Sequence, residues 1–198
     1  MVAALSRGPG EIFFRERIPT TTPEETISRL VSYFKRVTAE FEKPEALVIG
    51  TFGPADLDPA SPTYGFITKT PKPHWSGTDL LGPLQKALGV PAMFETDVAA
   101  SLFGEATWGA ARGLKHAAYF TVGTGIGGAL MIDGKMIHGV GHPEMGHMRV
   151  SRHEKDDFKG ACPFHHDCLE GMAAGTSINQ RWELPAEELP VDHPAWEI

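Results

Sequence analysis

The stretch from Gly141 to Gly171, GHPEMGHMRVSRHEKDDFKGACPFHHDCLEG, constrains this chain more than any other, because it holds both cysteines and five of the nine histidines. Cys162, His165 and Cys168 form a C-x2-H-x2-C run, three metal-binding side chains within seven residues. Structural Zn²⁺ takes four Cys or His ligands tetrahedrally, usually with short local spacings and a longer gap to complete the set. Three ligands are therefore local, and the fourth comes from His142, His147, His153 or His166. The plain alternative is a reduced cysteine pair among scattered surface histidines, but a histidine placed between two cysteines favours a metal. A Cys162–Cys168 disulfide fits the spacing, yet nothing else in the chain points to an oxidising compartment.

The 198 residues suffice for one large domain or two small lobes. With 41 % hydrophobic and 22 % charged residues, a buried core is expected and global disorder is not. A net charge of −7 argues against binding nucleic acid through a general basic surface. No apolar run reaches the roughly 18 residues that span a bilayer, and MVAALSRGPG has too short an apolar core for a signal peptide. The expectation is a soluble cytoplasmic protein without a membrane partner.

Val2 to Leu5, the turn-forming Arg7-Gly8-Pro9-Gly10 and Ile12 to Ile18 predict a hairpin. Thr22-Pro23-Glu24-Glu25 is a helix start, and Ile27, Leu30, Val31, Phe34 and Val37 recur at helical spacing, so 23–42 is an amphipathic helix. Ala46 to Gly50 is an apolar strand of the kind buried in a parallel sheet, leading into Thr51-Phe52-Gly53-Pro54, a loop at the strand's C-terminal end, where open α/β sheets place ligands. Residues 54–78 are irregular or a short hairpin, Leu80 to Leu88 is a helix, and Pro91 to Phe94 is a second buried strand. That strand delivers Glu95-Thr96-Asp97 to its C-terminal end, and a helix follows from about Val98 to Ala111. Asp97 at this junction is either a helix N-cap or a functional acid.

Ala117 to Val122 is a strand, and Leu130 to Ile132, Asp133-Gly134 and Lys135 to Ile137 read as a hairpin with a tight turn. Gly123-Thr124-Gly125-Ile126-Gly127-Gly128 thus joins two strands and opens no helix, which disfavours the dinucleotide-binding and P-loop fingerprints. Such a turn is either a flexible connection or a cradle whose N–H groups and hydroxyl receive phosphate. Leu169 to Trp182 reads as a helix, and Pro185 to Ile198 carries further helix-start signals.

Together GTFGPADLD at 50–58, ETDVAASLFGEATWGAARG at 95–113, TVGTGIGGAL at 121–130 and the 141–171 stretch resemble the ROK family of sugar kinases, and within it the bacterial fructokinases. The Cys-Pro-x-His-x2-Cys-x-Glu-Gly form of the last block is the most specific of these. The resemblance implies an α/β, actin-like ATPase (ribonuclease H-like) fold of two lobes. Residues 1–112 would form the N-terminal lobe, and 113–198 the start of the second, with a zinc-stabilised loop at 141–171.

The implied activity is ATP-dependent phosphorylation of fructose or a related hexose to the 6-phosphate. Asp97 then matches the base that takes the sugar hydroxyl proton as it attacks the γ-phosphate, with Mg²⁺ bridging the phosphates. Gly123, Thr124, Gly125 and Gly127 match a phosphate loop; Glu144, His147 and Glu170 match the sugar-binding residues. His147, Cys162, His165 and Cys168 match the zinc ligands, the zinc serving to order the loop. Family members commonly form dimers, so a homodimer is among the implied partners, with the sugar and ATP.

The chain also departs from the family. The family's opening strand with Asp/Glu-x-Gly-Gly-Thr-Lys and its later Gly-Gly-Gly loop find no match, so the chain reads as an internal piece with an incomplete second lobe. Thr96 stands where many relatives have Asn, and Ala174-Gly175-Thr176 where Ser-Gly-Pro is usual. Two other functions therefore stay open: a non-catalytic chain keeping the zinc module and sugar pocket, and a sugar-responsive regulator. The acidic chain and its lack of room for a helix-turn-helix weigh against the regulator.

Overall fold

A computed structural model describes residues 1–139 and 141–196. The chain divides into two compact units, Met1–Gly113 with His138–His142, and Leu114–Ile137 with Pro143–Ile198.

The first unit opens with the antiparallel pair β1 (Val2–Gly8) and β2 (Glu11–Arg17), joined through Pro9-Gly10. Helix α1 (Pro23–Glu40) starts as its sequence dictates: Thr22 accepts the Glu25 N–H and Pro23 occupies the first turn. It buries Leu30, Tyr33, Phe34 and Val37, the stripe set by the helical repeat. Strand β3 (Leu47–Thr51) pairs in parallel with β6 (Ala92–Thr96), Thr51 opposite Thr96. Between them the two-residue strands β4 (Phe66–Ile67) and β5 (Thr78–Asp79) pair antiparallel, and Asp79, just before α2 (Leu81–Leu88), accepts the Gly82 N–H of its first turn at 2.7 Å. Trp75 fills the core and donates its indole N–H to the Thr21 carbonyl at 2.9 Å.

Helix α3 (Asp97–Trp108) follows β6 without a loop and packs on β3 at Gly50, where a Cβ would lie 3.0 Å from that of Ala100. The expected burial of both strand faces is corrected here. Helix α3 covers one face at Gly50, but Val48 and its register partner Met93 are 62 % and 44 % exposed. Helix α3 also stops at Trp108, short of Ala111, because the Glu105 carboxylate turns back to accept the Ala110 N–H at 2.8 Å.

In the second unit β7 (Ala117–Val122), β8 (Ile126–Ile132) and β9 (Lys135–Met136) form an antiparallel sheet in that order. Strand β8 begins at Ile126, earlier than the expected Leu130, because Gly127 and Gly128 pair with Thr121 and Phe120. Asp133 and Gly134 both adopt positive φ, as a two-residue hairpin turn requires. The single helix expected over 169–182 is two, α4 (Leu169–Ala173) and α5 (Gly175–Trp182), broken at Ala174, whose backbone is extended. After α5 the expected helix resolves into 3₁₀ turns at Ala186–Glu188 and Pro194–Trp196; Glu197 and Ile198 lie outside the described residues. No helix among the described residues is long and apolar enough to cross a membrane.

Candidate functional site

In the first unit, chemistry collects at the C-terminal ends of β3 and β6. Thr96, not Asp97, caps α3: its hydroxyl accepts the Ala99 N–H at 3.3 Å. The N-cap reading of Asp97 is thereby corrected. Asp97 is the first helical residue, exposed, with one carboxylate oxygen on the adjacent Val98 N–H at 2.9 Å. It lines a cleft of about 320 Å³ together with Thr20, Thr51 and Phe52. The Thr51 hydroxyl is buried beside it without a hydrogen-bond partner among the described residues. Thr51 opens the strand-end loop expected to place ligands, and the fold adds that its hydroxyl is buried.

In the second unit the metal-ligand candidates converge. One donor atom from each of His147, Cys162, His165 and Cys168 lies within 4.8 Å of every other. Cys168 Sγ is 3.5 Å and Cys162 Sγ 3.7 Å from His147 Nδ1, and Cys162 Sγ is 3.9 Å from His165 Nδ1. Tetrahedral Zn²⁺, at about 2.3 Å from sulfur and 2.0–2.1 Å from nitrogen, sets neighbouring donors roughly 3.4–3.8 Å apart. The donor set fits that ion. His153, His142 and His166 are not part of the cluster; His153 instead accepts the Lys155 N–H at 3.3 Å. Burial pushes the Cys168 thiol above the usual cysteine range, and neighbouring Cys162 adds to it. A buried thiol such as that of Cys168 ionises readily only where a cation offsets its charge.

The loop around these donors is locally built. Cys162 and His166 exchange backbone hydrogen bonds at 3.3 and 3.0 Å, closing the Pro163-Phe164-His165 turn. His166 takes a positive φ of 55° to do so. Arg181 reaches back from α5 to Asp156 at 2.9 Å and lies 4.5 Å from the Phe158 ring centre, pinning residues 156–158.

The residues expected to bind sugar and phosphate lie around this loop. Glu144 is exposed, its Oε2 4.0 Å from His147 Nε2, so His147 turns one nitrogen to the cysteines and the other toward a carboxylate. Glu170 Oε2 accepts the Ile126 N–H at 2.9 Å and thereby holds the Gly-rich turn. Gly123 donates to the Gly125 carbonyl at 2.9 Å and accepts from Gly175 at 2.7 Å. Thr176 donates its hydroxyl to the Thr124 carbonyl at 3.0 Å. The break at Ala174 is what lets α5 dock on this turn. Gly127 lies within β8, opposite Thr121.

The fold is that of the actin-like ATPases, and its solved neighbours include ROK sugar kinases. A model of the ROK family matches residues 1–193, and the chain belongs to that family. It is 48 % identical over 176 residues to a fructokinase of Zymomonas mobilis, covering 88 % of this chain and 58 % of that protein. It is 44 % identical to a fructokinase of Lactococcus lactis, covering 100 % of this chain and 66 % of that one. The ROK hexokinase of Thermus thermophilus superposes with a TM-score of 0.68 at 27 % identity, covering 87 % of this chain and 57 % of that one. The chain thus spans about three-fifths to two-thirds of the length of these curated relatives.

Proposed function

We propose that this chain carries out ATP-dependent phosphorylation of fructose, or a related hexose, at the 6-hydroxyl. The observation that carries this reading is the pair of fructokinases at 48 % and 44 % identity. It is supported by Asp97, an exposed carboxylate at a strand end whose capping duty is taken by Thr96.

In this reading Asp97 accepts the proton of the sugar hydroxyl as that oxygen attacks the γ-phosphate. Phosphoryl transfer rests mainly on positioning and charge stabilisation, so the base needs reach and orientation more than unusual basicity. Glu144, His147 and Glu170 hydrogen-bond the sugar: a carboxylate accepts from hydroxyls, and the free imidazole N–H donates. Gly123, Thr124, Gly125 and Gly127 approach the ATP phosphates, with the Thr124 hydroxyl as a donor and the glycines allowing close backbone approach. Mg²⁺ arrives with ATP as part of the substrate, and no residue is assigned to it.

His147, Cys162, His165 and Cys168 hold Zn²⁺, whose contribution is to fix the loop between the 3₁₀ turn at Met145–His147 and α4. With His147 Nδ1 facing the cysteines, its Nε2 is the atom offered to substrate, oriented by Glu144.

A coupled ADP-release assay with fructose, mannose and glucose tests the function. Sugar-dependent release that disappears in Asp97→Asn is expected. No sugar-dependent release from the unaltered protein, at full zinc occupancy, overturns it.

A further inference from the structure

Two histidines that neither the metal cluster nor the proposed base uses reach the Asp97 end of the first unit. His138 and His142 belong to that unit although the chain on either side of them belongs to the other. Phe52 and Asp97 leave the sheet directly after the paired Thr51 and Thr96, and both line the same cleft. His138 Nε2 lies 2.7 Å from Oε1 of Glu95, two residues before Asp97. The other oxygen of Glu95 accepts the Thr96 N–H at 3.3 Å. His142 lies over Gly53, where a Cβ would come 2.7 Å from its Cε1 and 3.2 Å from its Nε2.

We propose that His138 and His142 are further sugar-contacting residues that determine which hexose is accepted; this rests on the sugar-kinase reading above. An ionised carboxylate only accepts hydrogen bonds, so the shared proton sits on His138 Nε2. That bond fixes the ring, and Nδ1 remains as its second polar atom. Glu95 is 17 % and His138 37 % exposed, so the pair sits at the surface of the strand ends and remains reachable by a small polar molecule. A ring already held by a carboxylate loses little freedom when a ligand docks, which makes it an economical contact. The absence of a side chain at residue 53 leaves room for the His142 ring. A few placed polar groups of this kind fix the orientation of a small ligand. Discrimination between hexoses differing in one hydroxyl follows from groups left unpaired by the wrong sugar.

The test pairs binding with turnover. Imidazole resonances of His138 and His142 are followed by NMR during fructose titration of the zinc-loaded protein. The ratio of kcat/KM among fructose, mannose and glucose is measured for His138→Ala, His138→Gln, Glu95→Gln and His142→Ala, with melting temperatures alongside. Both rings should shift with fructose. The alanine variants should change the sugar ratio by about tenfold, mainly through KM, at unchanged melting temperature, with His138→Gln partly restoring it. Rings that stay fixed while other resonances respond to fructose, or ratios preserved within about twofold, overturn this inference and leave the kinase reading standing. No resonance responding to any sugar, together with no turnover, overturns both.

Discussion

The carboxylate of Glu170 accepts the backbone N–H of Ile126 at 2.9 Å, bridging 44 residues of sequence. Glu170 lies two residues after Cys168, and Ile126 sits inside the Gly-rich turn, so one hydrogen bond couples the metal loop to the candidate phosphate loop. Glu170→Ala leaves the Ile126 amide without that acceptor, at a cost of about 1–3 kcal/mol. Amide hydrogen exchange at Ile126 should accelerate in this variant while Phe94, in the first unit, keeps its protection.

Asp97 and Thr96 should separate cleanly on substitution. Asp97→Asn should lower kcat by about 10²–10⁴ with little change in melting temperature, since no capping bond is lost. Thr96→Ala removes the cap of α3 and should cost about 1 kcal/mol of stability. Steady-state kinetics and thermal unfolding of the two variants check the division; equal stability loss in both contradicts it.

Zinc content distinguishes the histidines of the metal stretch. His147→Ala removes a donor 3.5 Å from Cys168 Sγ and should lose stoichiometric zinc, whereas His153→Ala should keep it. Chelation of the unaltered protein should lower its melting temperature, because metal affinity is also folding free energy. Elemental analysis after dialysis reads the first, calorimetry the second.

The Asp156–Arg181 pair sets an acid limb of stability. Burial opposes ionisation of Asp156, but the Phe158 N–H bond and Arg181 outweigh it and hold the carboxyl below the usual range. A depressed folded pKa contributes stability that is fully present above the unfolded value of about 3.9. That contribution fades as pH falls through the folded pKa, with the loss beginning below about pH 5. Urea unfolding midpoints of the unaltered protein should fall in this window, and those of Asp156→Asn should fall less.

Gly175 donates to the Gly123 carbonyl at 2.7 Å, and a Cβ on it would stand 2.9 Å from that oxygen. Gly175→Ala should push α5 off the turn, costing about 1–3 kcal/mol and raising KM for ATP more than KM for sugar.

The amino-acid sequence alone determined the elements whose signals are local. Thr22-Pro23 opened α1, the apolar run after Ala46 formed β3, Asp133-Gly134 turned the second sheet, and Cys162, His165 and Cys168 marked a shared donor point through their spacing. Tertiary structure decided what depends on residues distant in the chain. His147 joined the cysteines while His153 did not, although both lie in the same loop and spacing treats them alike. Helix 169–182 broke at Ala174 because Gly123 and Thr124, some fifty residues earlier, offered carbonyls to Gly175 and Thr176. Thr96 took the cap and released Asp97, a choice between adjacent side chains that only the backbone angles at the strand end could make. The pairing of Glu95 with His138 spans 43 residues and leaves no periodic trace, since a single long-range hydrogen bond needs only two side chains and a fold that brings them together.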